Sequence, residues 1–328
     1  MAIKKEKNIG ATGGSSDHLG PSNFEEYIGQ DKLKAKLNIA IDATVARGES
    51  LDHLLLYGPP GLGKTTISKL IAKRLGVGIK IASGPVLDKV GDIASILMSL
   101  GQGDILFIDE IHRMNKSVEE ALYPAMEEGK LDLIIGKGPT AKSVRFNLKK
   151  FTIIGATTKA SLLSSPLRDR FGLIHRVEPY PMEDLTEIVL RGSAVLKLNL
   201  DKSGAEEIAV RSRATPRIAY RLLKRVRDYA QVKGFEHVGV GEAERALDIL
   251  DVDSYGLDEL DRAIISAIIS KHKGGPVGID ALAIAVGEDK KTIEDVHEPY
   301  LVRMGLVART SRGRVATKLA YEHMGDNA

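Results

Sequence analysis

Apolar residues recur along most of this chain with either a helical or a strand period, and the order of the two sketches an architecture. Over residues 31–47, Leu33, Leu37, Ile41 and Val45 fall on one helical face. Short apolar runs follow at 53–57, 79–82, 104–108, 151–156 and 173–177, separated by stretches of helical spacing. That alternation predicts a parallel sheet with crossover helices. Between the third and fourth runs, residues 131–135 and 143–148 alternate apolar with polar around Gly136-Lys137-Gly138-Pro139, the pattern of a β-hairpin. After Tyr180-Pro181 the strand signals stop and residues 181–251 are helical in spacing. From Leu257 the texture changes again. Helices are predicted over about 258–271, 280–286 and 290–304, followed by short segments at 306–309 and 314–317 around a turn. Three helices and a small hairpin make a winged helix. Residues 1–22 are rich in Lys, Gly and Ser, lack periodicity, and read as a mobile tail. The expected organisation is the tail, an α/β domain over 23–180 with a hairpin insert at about 131–148, a helical domain over 181–252 and a winged helix over 253–328.

Composition narrows the function classes. The length of 328 residues allows two or three domains. Net charge is only +3, so any nucleic-acid contact must come from local clusters of basic residues. The chain has no cysteine, which excludes disulfides, thiolate catalysis and Cys-ligated zinc. No apolar run approaches a membrane span, and the N-terminal lysines have no apolar stretch behind them, so a cytoplasmic protein without a signal peptide is expected.

The chemistry is concentrated in the first half. Gly58-Pro59-Pro60-Gly61-Leu62-Gly63-Lys64-Thr65 is a complete phosphate-binding loop placed between a strand and a helix. Its glycines let backbone N–H groups face phosphates, and the helix N-terminus adds its positive end. Lys64 is suited to the β and γ oxygens of ATP, and the Thr65 hydroxyl to Mg²⁺. Asp109 and Glu110 end the third apolar run, placed to hold Mg²⁺ and to polarise water. Alone, such a pair is as often a solvated strand end; the phosphate loop upstream is what gives it weight. His112 completes a DExH-like quartet but lacks that class's other motifs, and is taken as incidental. Thr157-Thr158 ends the fourth run, near where a γ-phosphate would lie. In Arg168-Asp169-Arg170 the arginines are either a surface ion-pair face or an arginine finger for a neighbouring subunit. Thr215-Pro216-Arg217 starts a helix, from which Arg217 can reach phosphates.

Together with Glu26-Tyr27-Ile28-Gly29-Gln30, Ser83-Gly84-Pro85-Val86-Leu87, residues 163–172, Arg225-Val226-Arg227-Asp228, Gly275-Pro276-Val277-Gly278 and Arg312-Gly313-Arg314, these motifs resemble the RuvB family of Holliday-junction branch-migration motors, AAA+ ATPases. The resemblance runs nearly the whole chain. It implies a P-loop domain with a parallel sheet, a small helical lid and a winged-helix head. It implies ATP and Mg²⁺ as cofactors, a homohexameric ring on double-stranded DNA at four-way junctions, a RuvA-like junction-binding partner contacted by hairpin 131–148, and a RuvC-like resolvase. For the nucleotide it implies Leu19, Gly20, Tyr27, Ile28, Gly61, Leu62, Gly63, Lys64, Thr65, Thr66, Tyr180, Pro216 and Arg217. Catalysis falls to Lys64, Asp109, Glu110, Thr158 and Arg217, with Arg170 acting in trans; Thr65 and Asp109 hold the metal. Lys290, Arg309, Arg312 and Arg314 contact DNA. The chain departs from the family pattern at Gly20 for Arg, Lys149-Lys150 for Pro-Pro, Ala214 for Gly, Tyr220 for Asn, Ser311 for Pro, and Lys290 where Arg is frequent.

Without the resemblance, residues 303–318 still hold Arg303, Arg309, Arg312, Arg314 and Lys318 with no acid, a patch suited to phosphates. Winged helices also dock proteins, so that reading stays open. The apolar faces of the hairpin either pack on their own domain or form a partner's patch. Two other AAA+ classes compete. Against a clamp-loader-like switch, the hairpin insert and the winged head favour the motor, and the absence of cysteine removes the zinc module many clamp loaders carry. A protein-remodelling machine presents an aromatic pore loop, and residues 76–106 contain no Phe, Tyr or Trp. An inactive scaffold would not need Glu110 and Arg170.

Overall fold

A computed structural model describes residues 19–135 and 142–325. The predicted hairpin turn at 136–139 and residues 1–18 of the predicted tail lie outside them. The chain forms two compact units, Met1–Leu196 with Thr215–Tyr220, and Lys197–Ala214 with Arg221–Ala328.

The first unit alternates strand and helix: α1 (Asp31–Arg47), β1 (Leu54–Tyr57), α2 (Lys64–Leu75), β2 (Ile79–Ser83), α3 (Val90–Met98), β3 (Ile105–Asp109), α4 (Lys116–Glu128), then β4 (Lys130–Ile135) and β5 (Lys142–Asn147), β6 (Thr152–Thr157), α5 (Ser165–Arg168), β7 (Leu173–Arg176) and α6 (Met182–Val195). Five strands form one parallel sheet in the order β2-β3-β6-β1-β7. Helices cover both faces of such a sheet, so its inner strands read as continuous apolar runs. β6 is buried along its whole length, while edge strand β7 alternates. Parallel pairing brings the carboxyl ends of β1, β3 and β6 to one edge.

Several long-range contacts pin the N-terminal segment to this sheet. Gln30 clasps the backbone of Glu178, donating to its carbonyl (2.6 Å) and accepting from its N–H (3.2 Å). Arg191 on α6 donates to the carbonyls of Gly20 and Glu26 and pairs with the Glu26 carboxylate at 2.7 Å. Residues 19–22 are therefore held in place, where the sequence suggests the end of a tail. The same contacts bind α6 to the N-terminal segment of the first unit.

β4 and β5 pair antiparallel, with Leu131 opposite Phe146 and Leu133 opposite Val144. Leu131, Leu133, Phe146 and Leu148 pack against the domain core around Leu122 and Phe151. That apolar face serves the hairpin's own domain. Asp132 and Arg145 form a two-point ion pair at 2.7 and 2.8 Å.

The second unit holds α7 (Lys202–Val210), most of α8 (Pro216–Lys233) and α9 (Val240–Asp248), then the winged helix. In it α10 (Glu259–Ser266) runs on as a π-turn, Ala267–Lys271, before α11 (Ile279–Val286). α12 (Lys290–Thr292) and α13 (Glu298–Arg303) are likewise joined by a π-turn, Ile293–His297, so the helix predicted over 290–304 is continuous but widened at its middle. β8 (Val307–Thr310), β9 (Gly313–Ala316) and α14 (Lys318–Met324) complete it. Leu257, Ile264, Ile268, Leu282, Ile293 and Leu301 form its core. A buried charge cluster sits at the start of α10. The Arg213 guanidinium donates to Asp258 (2.8 Å) and to fully buried Asp261, and His297 Nδ1 lies 2.7 Å from Asp261. The Asp261 hydrogen bond holds the His297 pKa above the usual imidazole range. Asp258, Asp261 and His297 have the spacing of metal ligands, but Arg213 already supplies the cation.

Arg213 and Ala214 both adopt left-handed backbone, with φ of 53° and 56°. A Cβ makes that conformation cost roughly 1–2 kcal/mol. Ala214→Gly is therefore expected to raise unfolding free energy by about 1 kcal/mol after the extra unfolded-state freedom of glycine is offset. Urea denaturation with an unchanged m-value checks this; an unchanged or lower midpoint contradicts it.

Candidate functional site

The phosphate loop leaves β1 beside β6, where Gly58 N donates to Thr157 O at 3.1 Å. Gly61 and Gly63 have φ of 82° and 94°, and both are hemmed in. A Cβ on Gly61 would lie 3.2 Å from Arg217 Cβ, and one on Gly63 3.0 Å from the Tyr27 hydroxyl. Arg217 N also donates to Gly61 O at 3.3 Å, which sets Thr215–Tyr220 against the loop. The Leu62 side chain is fully buried in the core, so only its backbone can face a ligand.

Lys64 is nearly buried, and its ammonium donates to the loop carbonyls of Gly58 (2.8 Å) and Pro59 (2.9 Å). Burial depresses its pKa, Asp109 and Glu110 pull it back up, and Arg217 adds to the depression. These four charged groups thus share one site. Thr65 and Thr66 lie in the first turn of α2. Asp109 Oδ1 accepts from Glu110 N at 3.0 Å. Glu110 has φ of 47°, so the chain turns sharply as it leaves β3. Its Oε2 accepts from Thr158 Oγ1 at 3.2 Å.

His112 Nδ1 stands 3.2 Å from that same Glu110 oxygen and 2.8 Å from Thr157 Oγ1. These contacts place it beside Glu110, where the sequence alone left it incidental. The only sequence signal was its place two residues beyond Glu110, which gives no hint that the turn folds it back onto β6.

Leu19, Tyr27 and Tyr180 are buried, with the Tyr180 hydroxyl donating to that of Tyr27 at 2.8 Å. Burial pushes the Tyr27 pKa up to about 12 and that of Tyr180 further, so both phenols stay neutral. Ile28 is half-buried next to Tyr27. A Cβ on Gly20 would meet nothing within 4 Å, so the backbone here has room for a side chain this sequence lacks. Pro216 opens α8 one residue before exposed Arg217. The arrangement fits a nucleotide: a glycine cradle that a Cβ would crowd, a buried ammonium hydrogen-bonded to its own loop, and Thr65 and Asp109 offering oxygen ligands for Mg²⁺.

Arg170 belongs elsewhere. It donates to Pro166 O (2.6 Å), pairs with Glu127 (3.1 Å) and stacks over Tyr123 at 4.2 Å. None of these partners is in the phosphate loop.

In the winged helix the expected DNA contacts divide. Arg309 and Arg312 are exposed, and Lys290 is exposed while paired with Asp280 at 3.1 Å. Arg314 corrects the expectation. It is buried, with Nη2 and Nε on the Glu298 carboxylate (2.7 and 3.1 Å) and Nη2 on Glu294 (3.0 Å). Along β9 it shares the buried phase with Ala316, so strand alternation turns it inward. Arg309 sits opposite it, 3.6 and 3.7 Å from the same two carboxylates.

Three family models match the chain in succession: the Holliday junction DNA helicase RuvB P-loop domain over residues 19–177, the RuvB AAA lid domain over 180–253 and the RuvB C-terminal winged helix domain over 254–325. The chain belongs to the RuvB family. The Holliday junction branch migration complex subunit RuvB of Fusobacterium nucleatum is 57% identical over 305 residues, spanning 93% of this chain and 92% of its own length. The solved Thermotoga maritima RuvB, described as a Holliday junction branch migration motor, is 46% identical with a TM-score of 0.85, covering 95% of this chain and 99% of its own. Its A156S variant gives 0.87 at the same identity, with coverage of 94% and 99%. The RuvB P-loop, lid and winged-helix order is thus present in full, and no helix among the described residues is long and apolar enough to cross a membrane.

Two predictions follow from these side chains. Lys64→Ala is expected to abolish binding of a fluorescent ATP analogue, whereas Glu110→Gln keeps binding and loses turnover; the reverse pattern removes both assignments. Arg314→Ala should destabilise the chain by about 1–3 kcal/mol, because buried Glu298 loses its two direct donors and keeps only the longer contact with Arg309. Arg312→Ala should leave the denaturation midpoint unchanged. Equal midpoints for the two variants would return Arg314 to the surface.

Proposed function

We propose that this RuvB-family chain is the ATP-driven motor of Holliday-junction branch migration in recombination and DNA repair. In this reading it works in the cytoplasm as a homohexameric ring on the double-stranded arms of a four-way junction. A RuvA-like protein holds the junction and docks through hairpin 131–148, and a RuvC-like resolvase acts on the same complex. The observation that carries the reading is the meeting of Lys64, Asp109, Glu110, Thr158 and Arg217 at one edge of the sheet, in a chain that ends in a winged helix.

The chemistry follows from those groups. Lys64 exchanges its loop carbonyls for the β and γ oxygens of ATP. Mg²⁺, when bound by Thr65 and Asp109, neutralises phosphate charge. Glu110 accepts a proton from the water that attacks the γ-phosphoryl, and the products are ADP and phosphate. Thr158, which donates to Glu110, would lie near the γ-phosphate and couple that carboxylate to it. Arg217, at the start of α8, reads the phosphates from Thr215–Tyr220. Arg170 serves the neighbouring subunit's nucleotide, because its own contacts hold it at Tyr123 and Glu127. Arg309 and Arg312, with Lys290, meet phosphates without reading bases, as a motor on arbitrary sequence requires.

ATPase rates measured without DNA, with linear duplex and with a four-way junction, each with and without a junction-binding partner, test the reading. The highest rate is expected with junction and partner together; rates indifferent to DNA would overturn it. Arg170→Ala should bind ATP yet lose on the order of 10³-fold in turnover. Mixed with Lys64→Ala subunits it should regain activity, since some interfaces then pair an intact loop with an intact arginine. No recovery at any ratio, although mixed rings form, excludes action in trans.

A further inference from the structure

Thr157 is fully buried at the end of β6, and its Oγ1 accepts from Lys159 N at 3.0 Å. His112 Nδ1 faces two oxygens at once, Thr157 Oγ1 at 2.8 Å and Glu110 Oε2 at 3.2 Å. An ionised carboxylate only accepts hydrogen bonds. The contact with Glu110 is therefore favourable when the proton sits on Nδ1, from which it forks between the carboxylate and the threonine hydroxyl. Only 6% of the His112 side-chain surface is exposed, so the ring cannot swing away to solvent.

Glu110 needs such a tether. It follows the last residue of β3, and its φ of 47° belongs to neither the strand nor a regular helix. Its side-chain direction is thus not inherited from a continuous element. Two side chains supply direction, Thr158 and His112, and both act on Oε2. That leaves Oε1 as the oxygen to engage water.

We propose that His112 is a positioning residue for ATP hydrolysis: its Nδ1–H anchors Oε2 of Glu110 to the end of β6 and so aims Oε1 at the attacking water. The inference deepens the proposed ATPase function and rests on Glu110 polarising that water. Thr157 is the fixed end of the link, because it is buried and its backbone carbonyl holds Gly58 of the phosphate loop. His112 thereby ties the base to the strand that borders the nucleotide loop. A donor at the Nδ1 position is what the contact with Glu110 requires.

That requirement separates positioning from packing. In full-length protein with junction DNA, His112→Asn carries an amide N–H near the Nδ1 position and is expected to keep kcat within a few-fold of the parent. His112→Gln carries its amide one carbon further out, near the Nε2 position, and His112→Phe has no donor. Both are expected to lose about 10- to 100-fold in kcat with binding of a fluorescent ATP analogue unchanged, the scale of a reacting group misplaced by about an ångström. In a Glu110→Gln background, His112→Phe should have no further effect on the residual rate. Equal rates for the Asn, Gln and Phe variants, or a loss that tracks melting temperature, overturn the proposal. The ¹⁵N shifts of the His112 ring give a second readout that needs no turnover: the Nδ1–H tautomer is expected, and the Nε2–H tautomer alone overturns the assignment. A parent protein without ATPase activity would instead overturn the proposed function, leaving the tautomer to decide the role of His112.

Discussion

Parallel pairing of β3, β6 and β1 is the constraint on which the rest of the first unit depends. In-register parallel strands end together, so Tyr57 stands beside Thr157 and Ile108 beside Gly155. Three separate stretches of sequence are thereby delivered to one edge: the phosphate loop after β1, the acidic pair at β3, and the threonines at the end of β6. A slip of one residue would turn every apolar side chain of these strands to the opposite face, and both faces are filled, so the register is strongly specified. The Lys64 ammonium is then buried among carbonyls, where its own charge is disfavoured. A site arranged in this way is completed by an anion.

Much of this was legible in the sequence. The phosphate loop declares itself because only glycine serves at φ of 82° and 94° beside Arg217 and Tyr27, and such requirements leave a spelling. The three inner strands were legible as apolar runs because a sheet covered on both faces allows little else there. α1 was legible from Leu33, Leu37 and Ile41, which are buried, although Val45 of the same spacing is exposed and Thr44 is buried in its place. The strand order was not legible, since apolar runs carry no record of which run lies beside which.

The contacts of His112 were hidden for a related reason. Its partners are 45 residues downstream and two residues upstream, and neither separation has a periodicity to reveal it. Arg314 shows the opposite failure. Its spacing in a run of basic residues looks like a solvent-facing patch, but charge patterns in sequence do not distinguish an arginine that meets DNA from one that neutralises two glutamates of its own domain. The strand phase, buried for 314 and 316, holds the answer, and it becomes visible only once the wing has a neighbour. The lid region likewise looks uniform in sequence, while α6 and Thr215–Tyr220 fold with the P-loop domain through the contacts of Arg191 and Arg217.

The close approach of Tyr27 and Arg217 to the two loop glycines has a consequence for how this sequence drifts over time. Neither glycine can be exchanged alone, since any Cβ must be accommodated by a neighbour that belongs to a different stretch of chain. Nor can Tyr27 change alone, because its hydroxyl is shared with Tyr180. Positions far apart in the gene are therefore constrained together by their contact around one loop.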